Sequence, residues 1–455
     1  MVATEQLYGD RLSEHVERLA HHAMRGHLWD EAVRYGRQAG TRALDRSASR
    51  EAFAAFEQAR IALQEWPPGR QRSEQLIDLR FDQRNPLVSL GEFSRLGEVA
   101  EEARALAEEL GDERRLAWAS GYLAMHYSIL GEHERAITSG ERGRDLSASI
   151  EDPVLRSVQN YYLGLALWYA GDPQRAGQAA RLSAALVDDI PPRERFGLVG
   201  PPGVLARFVG ALVFADLGEF SLACTGGARA LQIAQAAGYP YAEVLARWSF
   251  GYAQVRRGDF PAAIKILEPG LALCRAMEIR FALPYIAAFL GFSYVWSGRA
   301  LEGIGLLQEA AEANAALRIN GHRPLMLSML SEAYLAVGRI AEARQQAEQA
   351  VALADRHPAL GWKLWCLKLL GDLDAEDPCH KGRADDEYQL AFSQATQLGM
   401  RPLAAHCRMA LGKLHSRVGN REVAKQHLIA ATTLYQEMDM SFWATTAETS
   451  AKGLG

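Results

Sequence analysis

The sequence predicts an all-α protein, a right-handed α-solenoid of about nine to ten helical hairpins with a period of ~40 residues. Gly91, Gly131, Gly171, Gly218, Gly258, Gly298, Gly338 and Gly419 recur at spacings of 40, 40, 47, 40, 40, 40 and 81 residues. Five residues after most of them stands a small residue: Ala136, Ala176, Ala223, Ala263, Gly303, Ala343 and Ala424. Seven residues further comes another: Gly143, Ser183, Ala230, Gly270, Ala310, Ala350 and Ala431. Matching small positions precede each turn by seven residues, at Ala124, Gly164, Ala211, Gly251, Gly291, Ser331 and Gly412. Two helices approach to about 8 Å only where side chains are small. Each unit therefore reads as helix, glycine turn, helix.

The elements follow in order. Residues 1 to about 63 read as helices: LSEHVERLAHHAM, a turn at Gly26, DEAVRYGRQAGTRALDR, a turn at Ser47 to Arg50, then SREAFAAFEQARIAL with Ala52 and Ala59 as its small stripe. The segment Trp66 to Arg72, with Pro67, Pro68 and Gly69, interrupts them and marks a boundary. Residues 1–65 are thus expected to form a helical linker and first hairpins, and residues 73–437 the regular array. Residues 438–455 are expected to form a capping helix and tail over the open end of the stack. The interval of 81 is twice 40 and predicts a unit whose glycine is lost, with Ala384 and Ala391 as its small stripe behind Asp377 and Pro378. The interval of 47 holds DDIPPRERFGLVGPPG, residues 188–203, an insertion between units that must become a loop. Such loops carry function in some solenoids and are tolerated cheaply in others.

Composition excludes several classes. A hydrophobic content of 49% with 23% charge suits a water-soluble chain, and a net charge of −5 offers no overall pull on nucleic acid. No apolar run reaches the roughly 18–20 residues that span a bilayer, and Met1 opens onto polar residues, so the chain is expected in the cytoplasm without a membrane partner. Cys224, Cys274, Cys366, Cys379 and Cys407 lack CxxC spacing and read as buried free thiols. GxxxxGK[ST], HExxH, GxSxG and GxGxxG motifs are all missing, which removes the usual sequence supports for phosphate, zinc and nucleophile chemistry. His15, His21, His22 and His27 lack further ligands at metal spacing, and runs such as EVAEEAR and AEELGDERR read as solvated helix faces. No catalytic residue, cofactor or metal is expected.

Register singles out a different set. Positions two, three, six, ten and thirteen before the turn glycine face the concave side of such a superhelix. In the central units they, and positions beside them, hold Trp118, Tyr161, Trp168, Tyr169, Phe208, Trp248, Tyr252, Tyr285, Phe292 and Trp296, with Arg207, Arg247, Arg256 and Arg257 on the same helices. Rings interleaved with guanidinium groups suit an acidic or amphipathic peptide, or a small aromatic ligand. The bland reading is that individual rings fill space between long helices. The expected binding surface is Trp118, Tyr161, Trp168, Phe208, Trp248, Tyr252, Arg256, Tyr285, Phe292 and Trp296.

The repeats SGRALEGIGLLQEA, LSEAYLAVGRIAEARQQAEQAVALA and LWCLKLLGDL, and above all LGMRPLAAHCRMALGKLHSRVGNREVAKQHLIAATTLYQEMDMSFW, add a resemblance. They resemble the C-terminal tetratricopeptide-like (TPR-like) region of large bacterial signalling proteins, in which a class III adenylate or guanylate cyclase domain precedes an AAA-type signal-transduction ATPase. The opening LYGDRLSEHVERLAHHAMRGHLWDEAVRYGRQAGTRAL is similar to the helical stretch that joins the ATPase to the repeats. The resemblance covers nearly all of the chain, with its most specific motifs at the C-terminal end. It implies a regulatory sensor or scaffold arm without catalytic residues of its own, whose partner is a protein or peptide segment, a cyclase or ATPase module, or a small molecule. The cyclase domain and the phosphate-binding motif are absent from these residues, so neither activity carries over. Two origins stay open, a fragment of a larger protein or a separately encoded repeat protein. Three functional readings follow: an interaction module, a small-molecule sensor, and an enzyme, the last lacking the residues it requires.

Overall fold

The computed structural model describes residues 15–377 and 380–453. Those residues form twenty-two helices. The opening three are α1 (Val16–Arg25), α2 (Trp29–Asp45) and α3 (Ser49–Leu63). Four hairpins follow before the insertion and beside it: α4 (Arg70–Leu90) with α5 (Phe93–Leu110), α6 (Glu113–Leu130) with α7 (His133–Ala148), α8 (Pro153–Ala170) with α9 (Pro173–Ala185), and α10 (Pro202–Leu217) with α11 (Phe220–Ala237). Next come α12 (Pro240–Arg257) with α13 (Phe260–Ala276), α14 (Leu283–Trp296) with α15 (Ala300–Ala316), and α16 (Arg323–Ala336) with α17 (Ile340–Arg356). The chain ends with α18 (Leu360–Ala375) and α19 (Lys381–Gln397), α20 (Arg401–Arg417) and α21 (Arg421–Glu437), and a final α22 (Ser441–Lys452). The protein is an all-α, TPR-like α-solenoid.

Local chemistry sets the boundaries. The turn glycines take the left-handed conformation that closes a helix without a Cβ clash, as at Gly171, φ 79°. Asp112, Asp152, Asp172 and Asp259 accept the backbone N–H three residues on, which satisfies an otherwise orphaned donor at the next helix start. The small stripes are buried throughout: Ala136, Ala176, Ala223, Ala263, Ala343 and Ala424 have no solvent exposure. At Gly291 and Gly303 the rods touch backbone to backbone, since a Cβ on either would fall 2.7 or 2.4 Å from the other's carbonyl oxygen. The unit without a glycine exists as α18 and α19, with Ala384 and Ala391 fully buried; Pro378 and Cys379 lie outside the described residues. Cys274, Cys366 and Cys407 are buried free thiols and Cys224 a half-buried one.

The superhelix is wound tightly enough to sit on itself. Arg280 N donates to Ser89 O, Asn320 and Gly321 N to Ile129 O, Trp362 Nε1 to Tyr169 O, and Arg257 Nε to Asp439 O. The last two bonds join residues 193 and 182 apart, about four and a half to five repeat units. Loops of the second superhelical turn thus rest on the hairpin turns of the first. Gly91, Gly131, Gly171, Gly218 and Gly258 face Leu317, His357, Gly361, Met438 and Trp443 respectively, whereas Gly298, Gly338 and Gly419 face open space.

Candidate functional site

The winding divides the expected binding surface in two. Trp168, Trp248, Phe208, Tyr285 and Tyr161 are at most 5% exposed and belong to the core. The Trp248 ring stacks on Tyr285 at 4.0 Å and meets Phe208 edge-on at 4.9 Å. Trp168 packs against Trp362 from the second turn and against the buried His322, with its Nε1 donating to Asp216 at 2.7 Å. Trp118 is half-buried against Tyr122. Trp168 is thus covered by residues of the second turn, while Trp248, Phe208 and Tyr285 bury one another within adjoining units. The remaining four, Tyr252, Arg256, Phe292 and Trp296, line one cavity together.

That cavity, of about 250 Å³, runs from the end of the first turn into the second and is walled by α12, α14, α16, α18, α20 and α22, with Tyr388 of α19. Its lining repeats a register. Six residues before the turn, or before its equivalent at position 378, stand Tyr252, Phe292, Glu332, Asp372 and Lys413, one from each successive inner helix, and all five line the space. Two residues before the turn come Arg256, Trp296, Glu376 and Arg417; thirteen before it come Leu325, Trp365 and His406. The charged members after Gly298 escaped the sequence reading, which stopped at the central aromatic units. The same counting, carried across the lost glycine, would have found them.

The polar groups are mostly paired. Arg256 donates from Nε to Tyr252 Oη at 2.8 Å and lies 3.2 Å from Asp216 Oδ1, while its guanidinium covers the Trp365 ring at 4.1 Å. Tyr252 donates to Asp216 at 2.6 Å. Burial pushes the Asp216 carboxyl up against the pull of Arg256, Tyr252 and Trp168. Lys368 bonds Asp372 at 2.6 Å, and Tyr388 donates to the other Asp372 oxygen at 2.9 Å. Burial opposes the Lys368 charge, yet Asp372 and Glu332 hold the ammonium above its ordinary range. Arg417 pairs with Glu376 at 2.7 Å. His406 shares a hydrogen bond with Tyr435 at 2.8 Å, and burial with the nearby cations keeps its imidazole well below the usual range, hence neutral. Glu332, half-buried, takes part in no hydrogen bond or ion pair among the described residues, and burial raises its carboxyl against the pull of Lys368 and Arg256. Trp443 of α22, the helix expected as an end cap, joins this wall.

The insertion sits elsewhere. Residues 186–201 connect α9 to α10 and cross to the N-terminal helices: Arg195 pairs with Asp45, and Asn85 donates to Gly197 O at 2.7 Å. Leu198 is buried, and Arg195 covers the Tyr239 ring at 4.1 Å. Asn85 stands six residues before Gly91, an inner-face position, so the insertion fills the start of the first turn's inner face. Among the described residues no cluster of three or more His, Cys, Asp or Glu is placed to hold a metal, and no helix is long and apolar enough to cross a membrane.

Solved helical-repeat proteins share this architecture. A Rap protein complexed with Competence and Sporulation Factor superposes with a TM-score of 0.59 at 12% identity, over 80% of this chain and 99% of that one. NprR in complex with its cognate peptide NprX gives 0.53 at 11% identity, over 79% and 99%. A signal-transduction ATPase with a tetratricopeptide repeat sensor, PH0952 from Pyrococcus horikoshii, gives 0.44 at 14% identity, over 84% and 55%. No protein-family model and no curated protein matches the sequence. At these identities the likeness is one of fold, a TPR-like helical-repeat scaffold.

Proposed function

We propose that this chain is a non-catalytic regulatory module that binds a protein or peptide segment in the cavity that runs into its second turn. One observation carries the reading: a single register position on successive inner helices delivers two rings, two carboxylates and an ammonium to one open cavity. Aromatic walls supply area at small entropic cost, and fixed charges supply orientation. Two proteins of this fold were solved with a bound factor or peptide. The sequence resemblance adds the context, an arm of a bacterial cyclase or signal-transduction ATPase working in the cytoplasm. A small-molecule sensor is the second reading, favoured by the cavity's modest volume of about 250 Å³.

Thermal denaturation with a set of synthetic hydrophobic pentapeptides and, separately, a metabolite set tests both. A ligand at 100 times its Kd adds about 2.7 kcal/mol. Peptide shifts that vanish in Trp296→Ala and Phe292→Ala variants support the module. Shifts by metabolites alone favour the sensor, and no shift in either arm defeats both. The purified chain is expected neither to hydrolyse ATP nor to form a cyclic nucleotide; turnover that survives several columns would overturn the non-catalytic reading.

A further inference from the structure

The insertion leaves a gap of about 40 Å³ between itself and the inner face of the first turn. Hydroxyl-bearing residues from three elements line it, Ser47 before α3, Ser89 of α4 and Tyr241 of α12, together with Asn85 of α4 and Arg195 of the insertion. None of the three hydroxyls takes part in a hydrogen bond among the described residues, and no carboxylate lines the gap. One layer behind this wall stands Arg84, 2% exposed. Its guanidinium donates to Tyr162 Oη at 2.7 Å, Met125 Sδ at 3.3 Å and Asn85 Oδ1 at 3.0 Å, all neutral, and its Nε has no partner. Asn85 joins Arg84 to the gap, and Tyr241 is among the groups whose field reaches it. The carboxylates flanking this region are already matched: Asp82 pairs with Arg37, Asp45 with Arg195, and Glu278 lies 3.9 Å from Arg50. The surplus charge is the buried Arg84 guanidinium, which neutral partners orient without neutralising.

We propose that this gap is a binding site for a small monovalent anion, a halide ion or the carboxylate of a small acid, held by the Ser89 and Tyr241 hydroxyls and by Arg195, with Arg84 behind Asn85 supplying the unbalanced positive charge. A space of this kind holds a water molecule from roughly 10–15 Å³ upwards, so about 40 Å³ takes an ion or a group of a few atoms and no peptide. Water bonds the hydroxyls but leaves the charge of Arg84 unanswered. Arg195 and the buried Leu198 belong to the insertion, whereas Ser89 and Tyr241 belong to the first turn and its continuation. An anion between them fastens the insertion to the inner face, where Asn85 already holds Gly197 O.

The test is chlorine NMR of the whole chain, with chloride replacing bulky gluconate at constant ionic strength. The wild type is expected to broaden the chloride line in a saturable way, and acetate to compete. Trypsin cleavage after the exposed Arg193 should slow over the same range of either anion. Arg84→Met is expected to fold, since it removes a buried charge and not that charge's partner, and to bind either anion about tenfold more weakly, the scale of one lost charge-assisted interaction. Ser89→Ala combined with Tyr241→Phe keeps Arg84 in place and should weaken both readouts as well. Acetate competition at concentrations below those of chloride assigns the site to carboxylates, and protection by chloride alone assigns it to halides. Broadening and protection that are the same in the wild type and both variants, or absent with both anions, overturn the site.

Discussion

The two superhelical turns are made from the same repeat and end up physically different, one solid and the other hollow. In the first turn the positions six before each glycine are Asn85, Met125, Leu165 and Leu212, all buried, and the insertion covers Asn85. Its buried cation is packed among neutral groups: the Arg84 guanidinium donates to Tyr162 Oη at 2.7 Å and lies over the Tyr122 ring at 4.3 Å. In the second turn the same position becomes Phe292, Glu332, Asp372 and Lys413. Charges there resist closure, because bringing them together dry would strip hydration without full compensation. The comparison teaches that spacing builds the scaffold and that identity at one inner position decides whether it closes or opens.

The largest test of that contrast is a pair of tryptophans. Trp168→Ala removes a buried ring and leaves Asp216 without one of its donors, so a loss of about 3–5 kcal/mol is expected in urea unfolding. Trp296→Ala, at a half-buried ring on the cavity wall, should cost clearly less and should instead abolish peptide-induced thermal shifts. Equal losses would mean the second turn is as solid as the first.

A pair of glycines sharpens the comparison further. Gly171 and Gly298 both sit at positive φ, 79° and 84°, where alanine costs about 1–2 kcal/mol. A Cβ at Gly171 would also fall 2.2 Å from Gly361 N in the second turn, while Gly298 has nothing near. Gly171→Ala is therefore expected to be the more destabilising of the two by chemical denaturation. Equal effects would argue that the turns do not bear on each other.

The smallest effect is one of pH. His322, from the loop before α16, is wholly buried among Trp168, Tyr169, Tyr285 and Trp362. Burial, with a lesser push from His133, holds its pKa well below the ordinary value of 6.5. A base with a depressed folded pKa binds its proton more readily when unfolded, so its contribution is complete above pH 6.5 and declines as pH falls below it. Wild type should lose about 1.4 kcal/mol more per pH unit below 6.5 than His322→Phe does. Parallel stability curves would show that the ring stays accessible to protons in the folded chain.

Much of the scaffold was legible in the chain. The glycine interval located the hairpins, the interval of 81 exposed the unit of α18 and α19, and the buried stripes from Ala136 to Ala431 lie where the spacing put them. The site was half legible. Tyr252, Arg256, Phe292 and Trp296 came from register alone, but Trp168 and Trp248 share that register and lie in the core. Nothing local marks Trp168 as core, because Trp362, nearly five units away along the chain, covers it, whereas Trp248 is buried by Phe208 and Tyr285 of adjoining units.

The amino-acid sequence by itself determined the repeat, its helix boundaries and its inner face, since these follow from contacts within a unit and between neighbours. Only the tertiary structure decided that the superhelix rests on itself, that the first turn is closed and that Glu332 and Lys413 share a cavity. The physical reason is range: superhelical pitch accumulates from a small rotation at every unit. Which residues meet across a full turn is therefore a property of the whole stack and of no segment within it.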